Sequence, residues 1–158
     1  MEKKHIDNFF ENIVTIQEYN QFGFTLPIML IYRNIFNETE SYLKVTYDLI
    51  HSDIDVLTAL YFNGKVLSPT DLYAATVFSS GGMTKILKKL ENSAYITRKP
   101  SEKDKRSTLV YLEKKGEKLV EKCLTDIVEH RKRLFDVLTI DEQKNLQKIL
   151  EKLTYNLF

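Results

Sequence analysis

Apolar residues recur every three or four positions over most of this chain, and the stretches where that rhythm fails mark the ends of its elements. From His5 to Tyr19 the residues Ile6, Phe9, Phe10, Ile13 and Ile16 fall on one helical face. Gly23 and Pro27 then bracket an expected break, with Pro27 suited to the first turn of the following helix. That helix runs to about Tyr47 and carries Leu30, Ile31, Ile35, Tyr42 and Val45 on its apolar side, while Phe22, Phe24, Tyr32, Phe36 and Tyr47 read as core aromatics. Ser52 or Asp53 caps a third helix, with Val56, Leu57, Leu60 and Tyr61 inward and Asn63-Gly64 closing it.

The stretch SPTDLYAATVF predicts a short fourth helix. Ser68 stands at its cap, Pro69 at the first helical position and Asp71 where a capping box places its acid. A turn around Val77-Phe78 follows, and Ser79 caps a fifth helix whose apolar residues Met83, Ile86, Leu87 and Leu90 share one face. After Ser93 the period drops to two: Tyr95 to Arg98 reads as a strand, RKPSEKDKRS as a charged connection and TLVYLE as a second strand. Helical spacing returns from Lys114 to Leu138, through Val120, Leu124, Ile127, Leu134 and Leu138. Thr139 and Glu142 form another capping box, which opens the last helix with Leu146, Ile149, Leu150, Leu153 and Leu157.

The expected fold is therefore mainly α with a small β-hairpin. A capped short helix, a turn, a second helix and a two-stranded hairpin come in the order of a winged helix-turn-helix, here flanked by N- and C-terminal helices. Residues 51–116 would form the winged DNA-binding region, and residues 5–50 with 117–158 a helical dimerisation region of the same single domain.

Charge sharpens this picture. The whole chain carries +1, but Lys85 to Lys118 holds eleven Lys and Arg against five Asp and Glu, a net of +6; the remainder, with twelve against seventeen, carries −5. One strongly basic third on an otherwise acidic body points to an anion-binding face, and the second helix of such a pair is the one that enters a major groove. With Ser79 as cap, Ser80, Gly81 and Gly82 form the first turn, where backbone N–H groups lack helical partners and glycine allows a duplex to come close. Lys85 and Lys88 follow on the same face as phosphate contacts, and Thr84 is placed to touch a base edge or a thymine methyl. The basic tip with Lys103, Lys105 and Arg106 suits the neighbouring minor groove, with Arg106 the inserted side chain and Asp104 orienting an arginine.

The run from Leu57 to Gly116 resembles the multiple-antibiotic-resistance regulator (MarR) family of bacterial winged-helix transcription factors. The matching pieces are DVLTAL, LSPTDLYAATVFSSGGMTKILKKLE, ITR, the wing DKR at Asp104 to Arg106 and LEKKG at Leu112 to Gly116. The resemblance implies a homodimer with interlocking terminal helices on a near-palindromic operator, with repression the expected direction, and a possible small-molecule effector. It also implies that Arg106 enters the minor groove supported by Asp104, and that Arg98 belongs to the wing's polar network. Three positions depart from the pattern: Ala94 stands where the family has glycine, Tyr73 where it has alanine and Glu113 where it has threonine.

Dimerisation is also expected from the chain itself. Phe9, Phe10, Ile13, Leu124, Ile127, Leu134, Leu150 and Leu153 are more apolar seam than one small helix-turn-helix can cover, and Arg131 within the seam should pair across it or lie at its rim. The alternative function is a winged-helix module that binds a protein partner without sequence-specific DNA binding.

No phosphate-loop, dinucleotide or H-E-x-x-H signature is present, so neither an enzyme nor a cofactor is expected. Capping explains Asp53 and Asp55 beside His51 better than metal ligation. The lone Cys123 forms no internal disulfide and reads as a small core or interface residue rather than a redox sensor, seven residues from His130 on the same helix. The start MEKKHIDNFFENI lacks an apolar secretion signal, and the run Leu26 to Tyr32 is far short of the roughly 20 residues that span a bilayer, so a soluble cytoplasmic protein is expected.

Overall fold

A computed structural model describes residues 2–13, 15–76, 82–101 and 107–157. Two compact units divide the chain, Met1–Leu49 and Ile50–Phe158.

The first unit holds α1 (Lys3–Ile13), a single 3-10 turn at Gln17–Tyr19 and the long α2 (Phe22–Tyr47). The break expected at Gly23 and Pro27 is not there, because both residues lie inside α2. Gly23 is its second residue, where the backbone N–H needs no helical acceptor in any case. Pro27 is the sixth residue, and its missing N–H costs one helical bond, the one to the Gly23 carbonyl. α2 ends where Asp48 turns left-handed and Leu49 N–H reaches back to the Leu43 carbonyl at 3.2 Å.

The aromatics of α2 do not form the expected core. Phe22, Phe24 and Tyr32 are exposed, Phe36 and Tyr47 half-buried, and Val45 stands 85% exposed. Helical spacing supplies an apolar stripe, but the stripe is wider than the single chain covers.

The second unit begins with α3 (His51–Phe62) and the two-residue strand β1 (Val66–Leu67), then α4 (Pro69–Ala75), α5 (Met83–Asn92), β2 (Ile96–Pro100), β3 (Thr108–Leu112), α6 (Lys114–Phe135) and α7 (Ile140–Tyr155). Neither Ser52 nor Asp53 is the N-cap of α3. Ile50 holds that position, and Asp53, three residues on, reaches back so that its Oδ2 accepts from Ile50 N–H at 3.0 Å. Asn63 and Gly64 close α3, with Gly64 at φ +81°. At the other end of the unit the capping box of α7 forms: Glu142 Oε2 accepts from Thr139 N–H at 2.8 Å, and Thr139 Oγ1 accepts from Glu142 N–H.

The strands form one antiparallel sheet in the order β1-β3-β2. Periodicity gave no sign of β1, since two residues are too few to show a period. It pairs Val66 with Tyr111 and Leu67 with Val110, adding an edge to the hairpin in which Ile96 faces Leu112 and Arg98 faces Val110. Val56, Leu57 and Leu60 of α3, Leu72 of α4, Leu87 and Leu90 of α5, Ile96, Val110 and Val120 are all buried and make up the core beneath the sheet. Cys123 is buried as well.

α6 follows the hairpin at close range, and one glycine makes that possible. A Cβ on Gly116 would lie 2.3 Å from the Tyr95 carbonyl oxygen and 2.8 Å from Leu112 Cδ1. The same Tyr95 carbonyl accepts from Glu113 N–H at 2.9 Å, so the helix starts hydrogen-bonded to the residue before β2.

Candidate nucleic-acid interface

The candidate interface is built on α4, α5 and the hairpin. Ser68 caps α4 as expected, its Oγ accepting from Asp71 N–H at 3.1 Å. The start of α5 differs from expectation. Gly82 is the N-cap rather than part of the first turn, at φ +110°, and no side chain caps the helix. Its carbonyl accepts from Lys85 N–H at 2.8 Å and Ile86 N–H at 3.0 Å. Among the described residues a Cβ at Gly82 would meet nothing within 4 Å, so packing against them does not explain the glycine. The positive φ does: an L-residue there is strained whatever the space around it.

Ile86, Leu87 and Leu90 turn inward from α5, while Thr84, Lys85 and Lys88 are exposed on the outer side, as an amphipathic reading helix requires. Ser79, Ser80, Gly81, Lys103, Asp104, Lys105 and Arg106 lie outside the described residues. What is described of the wing is its base, where Ser101 N–H donates to the Ser107 carbonyl at 2.8 Å.

Arg98 is held rather than free. Its Nε donates to Glu91 Oε2 at 3.0 Å and a terminal guanidinium nitrogen to the same oxygen at 2.5 Å. The bonds from Arg98 draw the Glu91 carboxyl below its usual range. In the register of β2 with β3, Arg98 sits opposite the buried Val110, on the side of the sheet from which α5 is reached. It therefore ties the last turn of α5 to the first strand of the wing.

A second tie was missed by sequence reasoning. Lys89 Nζ hydrogen-bonds Asp53 Oδ2, joining α5 to the start of α3, and the Asp53 side chain is 1% exposed. Lys89 looked like one more member of a lysine-rich helix, and Asp53 like a capping residue. Only the fold brings the two together.

The departures from the family pattern also find their places. Ala94 lies at φ +56°, a backbone conformation that suits the glycine usually found there. Tyr73 is exposed on α4. Glu113 accepts from Thr97 Oγ1 at 2.7 Å, linking the base of the hairpin to the start of α6. Lys115 is also engaged, donating to the Ser93 carbonyl at 2.9 Å with its ammonium 4.9 Å from the Tyr95 ring centre.

The expected seam residues divide into three groups. In the first unit, Phe9 and Ile13 are half-buried and Phe10 is exposed, with Phe9 and Phe10 in edge contact at 5.3 Å. On α6, Leu124 and Leu134 are half-buried, but Ile127 is already buried within the chain and belongs to its core. Arg131 is half-buried, and loss of solvation pulls its guanidinium pKa down. On α7, Leu150 and Leu153 are exposed, and Leu150 lines an open groove of about 580 Å3 with Phe135 and Leu146.

With this geometry in place, the comparisons with known proteins agree on one group. A family model described as "Transcriptional regulator SarA/Rot" matches residues 38–123, more than half of the chain. The chain is 33% identical over 119 residues to the HTH-type transcriptional regulator SarZ of Staphylococcus saprophyticus, covering 75% of this chain and 79% of that one. Among solved structures, wild-type MarR from E. coli is 25% identical with a TM-score of 0.67, over 80% of this chain and 92% of its own. A putative MarR-like regulator from Bacillus cereus shares the fold at a TM-score of 0.71 and 24% identity, over 88% of this chain and 99% of its own.

Proposed function

The chain belongs to the SarA/Rot family of transcriptional regulators and is a DNA-binding winged-helix regulator, and we propose that it acts as a homodimeric repressor on a near-palindromic operator. In this reading α5 enters the major groove with Thr84 toward base edges and Lys85 and Lys88 toward phosphates. The wing carries Arg106 into the adjacent minor groove. The observation that carries the reading is the two-sided character of α5: Ile86, Leu87 and Leu90 anchor one side in the core, and the exposed side offers a threonine and two lysines beside a basic hairpin.

The homodimer rests on α7, which buries none of its sixteen residues and exposes Ile149, Leu150 and Leu153. A twofold partner covering them would set two reading helices about 34 Å apart, one turn of DNA. Residues 5–50 and 117–158 would then serve dimerisation, and residues 51–116 DNA binding. A repressor of this kind would work in the bacterial cytoplasm, where its operator is.

The test is binding to genomic duplex fragments across a salt series. Affinity should fall steeply with salt, with about 0.9 of slope per phosphate contacted. Arg106→Ala should cost about 1–3 kcal/mol, against little for Lys118→Ala, which alters an exposed lysine of α6. Lys115 would not serve as that control, because its ammonium already serves Ser93 and Tyr95. Equal losses for Arg106→Ala and Lys118→Ala would refute the wing role, and a protein that retains no duplex at low salt would refute the reading as a whole.

A further inference from the structure

We propose that Asp53 and Lys89 form a positioning pair that sets the rotation of α5 about its own axis, and so the direction in which Lys85 and Lys88 face the duplex. The inference rests on the reading of α5 as the recognition helix. Its starting point is a conflict between two uses of one side chain. Lys89 lies four residues after Lys85, and at 3.6 residues per turn the two are only about 40° apart around the helix. By position alone Lys89 would be a third phosphate contact. The fold assigns it otherwise, because its Nζ hydrogen-bonds Asp53 Oδ2, on a side chain 1% exposed.

A lysine used in this way does what the apolar side of α5 cannot. Ile86, Leu87 and Leu90 hold the helix by burial, which is non-directional and tolerates a small roll or slide. A charge-assisted hydrogen bond has a preferred direction and length. Asp53 is itself fixed, since Oδ2 also accepts from Ile50 N–H at 3.0 Å at the first turn of α3. The anchor is therefore rigid on its α3 side, and through Lys89 that rigidity passes to a point about 40° around the helix from Lys85. The Arg98–Glu91 pair holds the same helix two residues further along, from β2. With both pairs made, the exposed lysines have a fixed bearing relative to the wing.

The pair is separable from a direct contact by salt dependence. Removing a side chain that touches phosphate lowers the slope of log affinity against log salt by about 0.9, whereas a misdirected helix binds more weakly with its charge count at the interface largely kept. The experiment measures duplex affinity, salt slope and thermal midpoint for Lys85→Ala, Lys89→Met, Lys89→Arg and Asp53→Asn in the full chain, using one genomic fragment bound by the wild type. Lys89→Met and Asp53→Asn should each weaken binding on the order of tenfold, the scale of one misplaced contact, at an unchanged slope. Lys89→Arg, which keeps a charged donor for Asp53, should restore binding to near the wild-type level.

A drop of about one unit in slope for Lys89→Met would make Lys89 a phosphate contact and overturn the proposal. So would unchanged affinity in Lys89→Met, or an equal loss in Lys89→Arg. If Lys89→Met fails to fold, Asp53→Asn decides, as it keeps the size of the side chain; loss of fold in both assigns the pair to stability and overturns the positioning role. Lys85→Ala tests the underlying reading separately. An unchanged slope and affinity there removes α5 from the interface whatever Lys89 does.

Discussion

α3 and α7 are comparable in length and both carry apolar residues at helical spacing, yet they are built for opposite situations. α3 buries six of its twelve residues, Asp53 among them. α7 buries none of its sixteen, although Leu146, Ile149, Leu150 and Leu153 recur on it at helical spacing. The first is surrounded by the chain's own elements: α4, α5, β3 and α6 all pack on it. The second has caps at both ends and a regular stripe, but among the described residues nothing of its own chain is sufficient to cover it. A helix that forms without burying its stripe gains little from packing within its own chain, and under the proposed homodimer the comparison sets a region packed by its own chain against one that a partner would cover.

The largest expected effect attacks the second of these. Leu150 and Leu153 are 46% and 52% exposed, so in an isolated chain their replacement by aspartate should change stability by no more than roughly 0.5 kcal/mol each. In a dimer that buries both on each chain, the double variant Leu150→Asp/Leu153→Asp should weaken association by at least about 4 kcal/mol. Light scattering at micromolar concentration should report a dimer for the wild type and a monomer for the variant. A variant that remains dimeric would move the interface off α7, and a wild type that is monomeric would leave the stripe unexplained.

Next in size is the converse test within the self-sufficient region. Gly116→Ala sets a methyl carbon 2.3 Å from the Tyr95 carbonyl oxygen, which is backbone and cannot swing away. Overpacking of this kind costs about 1–3 kcal/mol, and the upper end applies where the neighbour is main chain. Urea unfolding should show the full loss at every protein concentration, in contrast to the concentration-dependent loss from α7. A loss below roughly 0.5 kcal/mol would mean that α6 and the hairpin separate without cost.

These two sites also show what could be read from the sequence and what could not. Caps and periods are local, so Ser68 with Asp71, Thr139 with Glu142, and the change of period after Ser93 located α4, α7 and the hairpin correctly. The Lys-Gly at residues 115 and 116 was legible as part of a family pattern, but its cause, the approach of the Tyr95 carbonyl, is visible only once the strand and helix are side by side. At Gly82 the backbone supplies a reason for glycine that the sequence does not show: left-handed backbone and close approach to a duplex both select glycine, and sequence does not separate them. Ile127 falls in the α6 seam by its spacing, yet the chain buries it itself, and helical spacing does not say which part of a stripe the chain covers. Lys89 and Asp53, thirty-six positions apart, had no local signal at all.

A smaller effect, of opposite sign, comes from Ala94. Its φ of +56° is a left-handed conformation that costs an L-residue about 1–2 kcal/mol relative to glycine. Glycine loses more chain entropy on folding, which takes back a part of that, so Ala94→Gly should stabilise the winged region by about 1 kcal/mol. The gain should appear as a higher urea midpoint with an unchanged slope, and it should persist in the monomeric Leu150→Asp/Leu153→Asp background, since the strain sits in the turn between α5 and β2. A gain confined to the dimer would tie that turn to the assembly instead.

The smallest effect is acid sensitivity, and it samples both regions at once. Hydrogen bonds from Arg98 lower the Glu91 carboxyl in the winged region, and hydrogen bonds from the Thr139 backbone and side chain lower Glu142 at the start of α7. In each case the folded pKa lies below the unfolded one. The stabilisation is therefore complete above the ordinary glutamate range near about 4.3, and it is lost as pH falls through the lower, folded values. Both groups lie at the surface, where water and salt screen the interaction, so each contributes modestly. Urea midpoints taken at neutral pH and through the acid range should fall less for Glu91→Gln than for the wild type, because the variant has already lost the titrating group. Glu142→Gln should flatten the same acid limb, and if association stabilises α7, as the proposed homodimer requires, its effect should depend on protein concentration. If Glu142→Gln proves independent of concentration while Glu91→Gln does not, the two regions have been assigned the wrong way round.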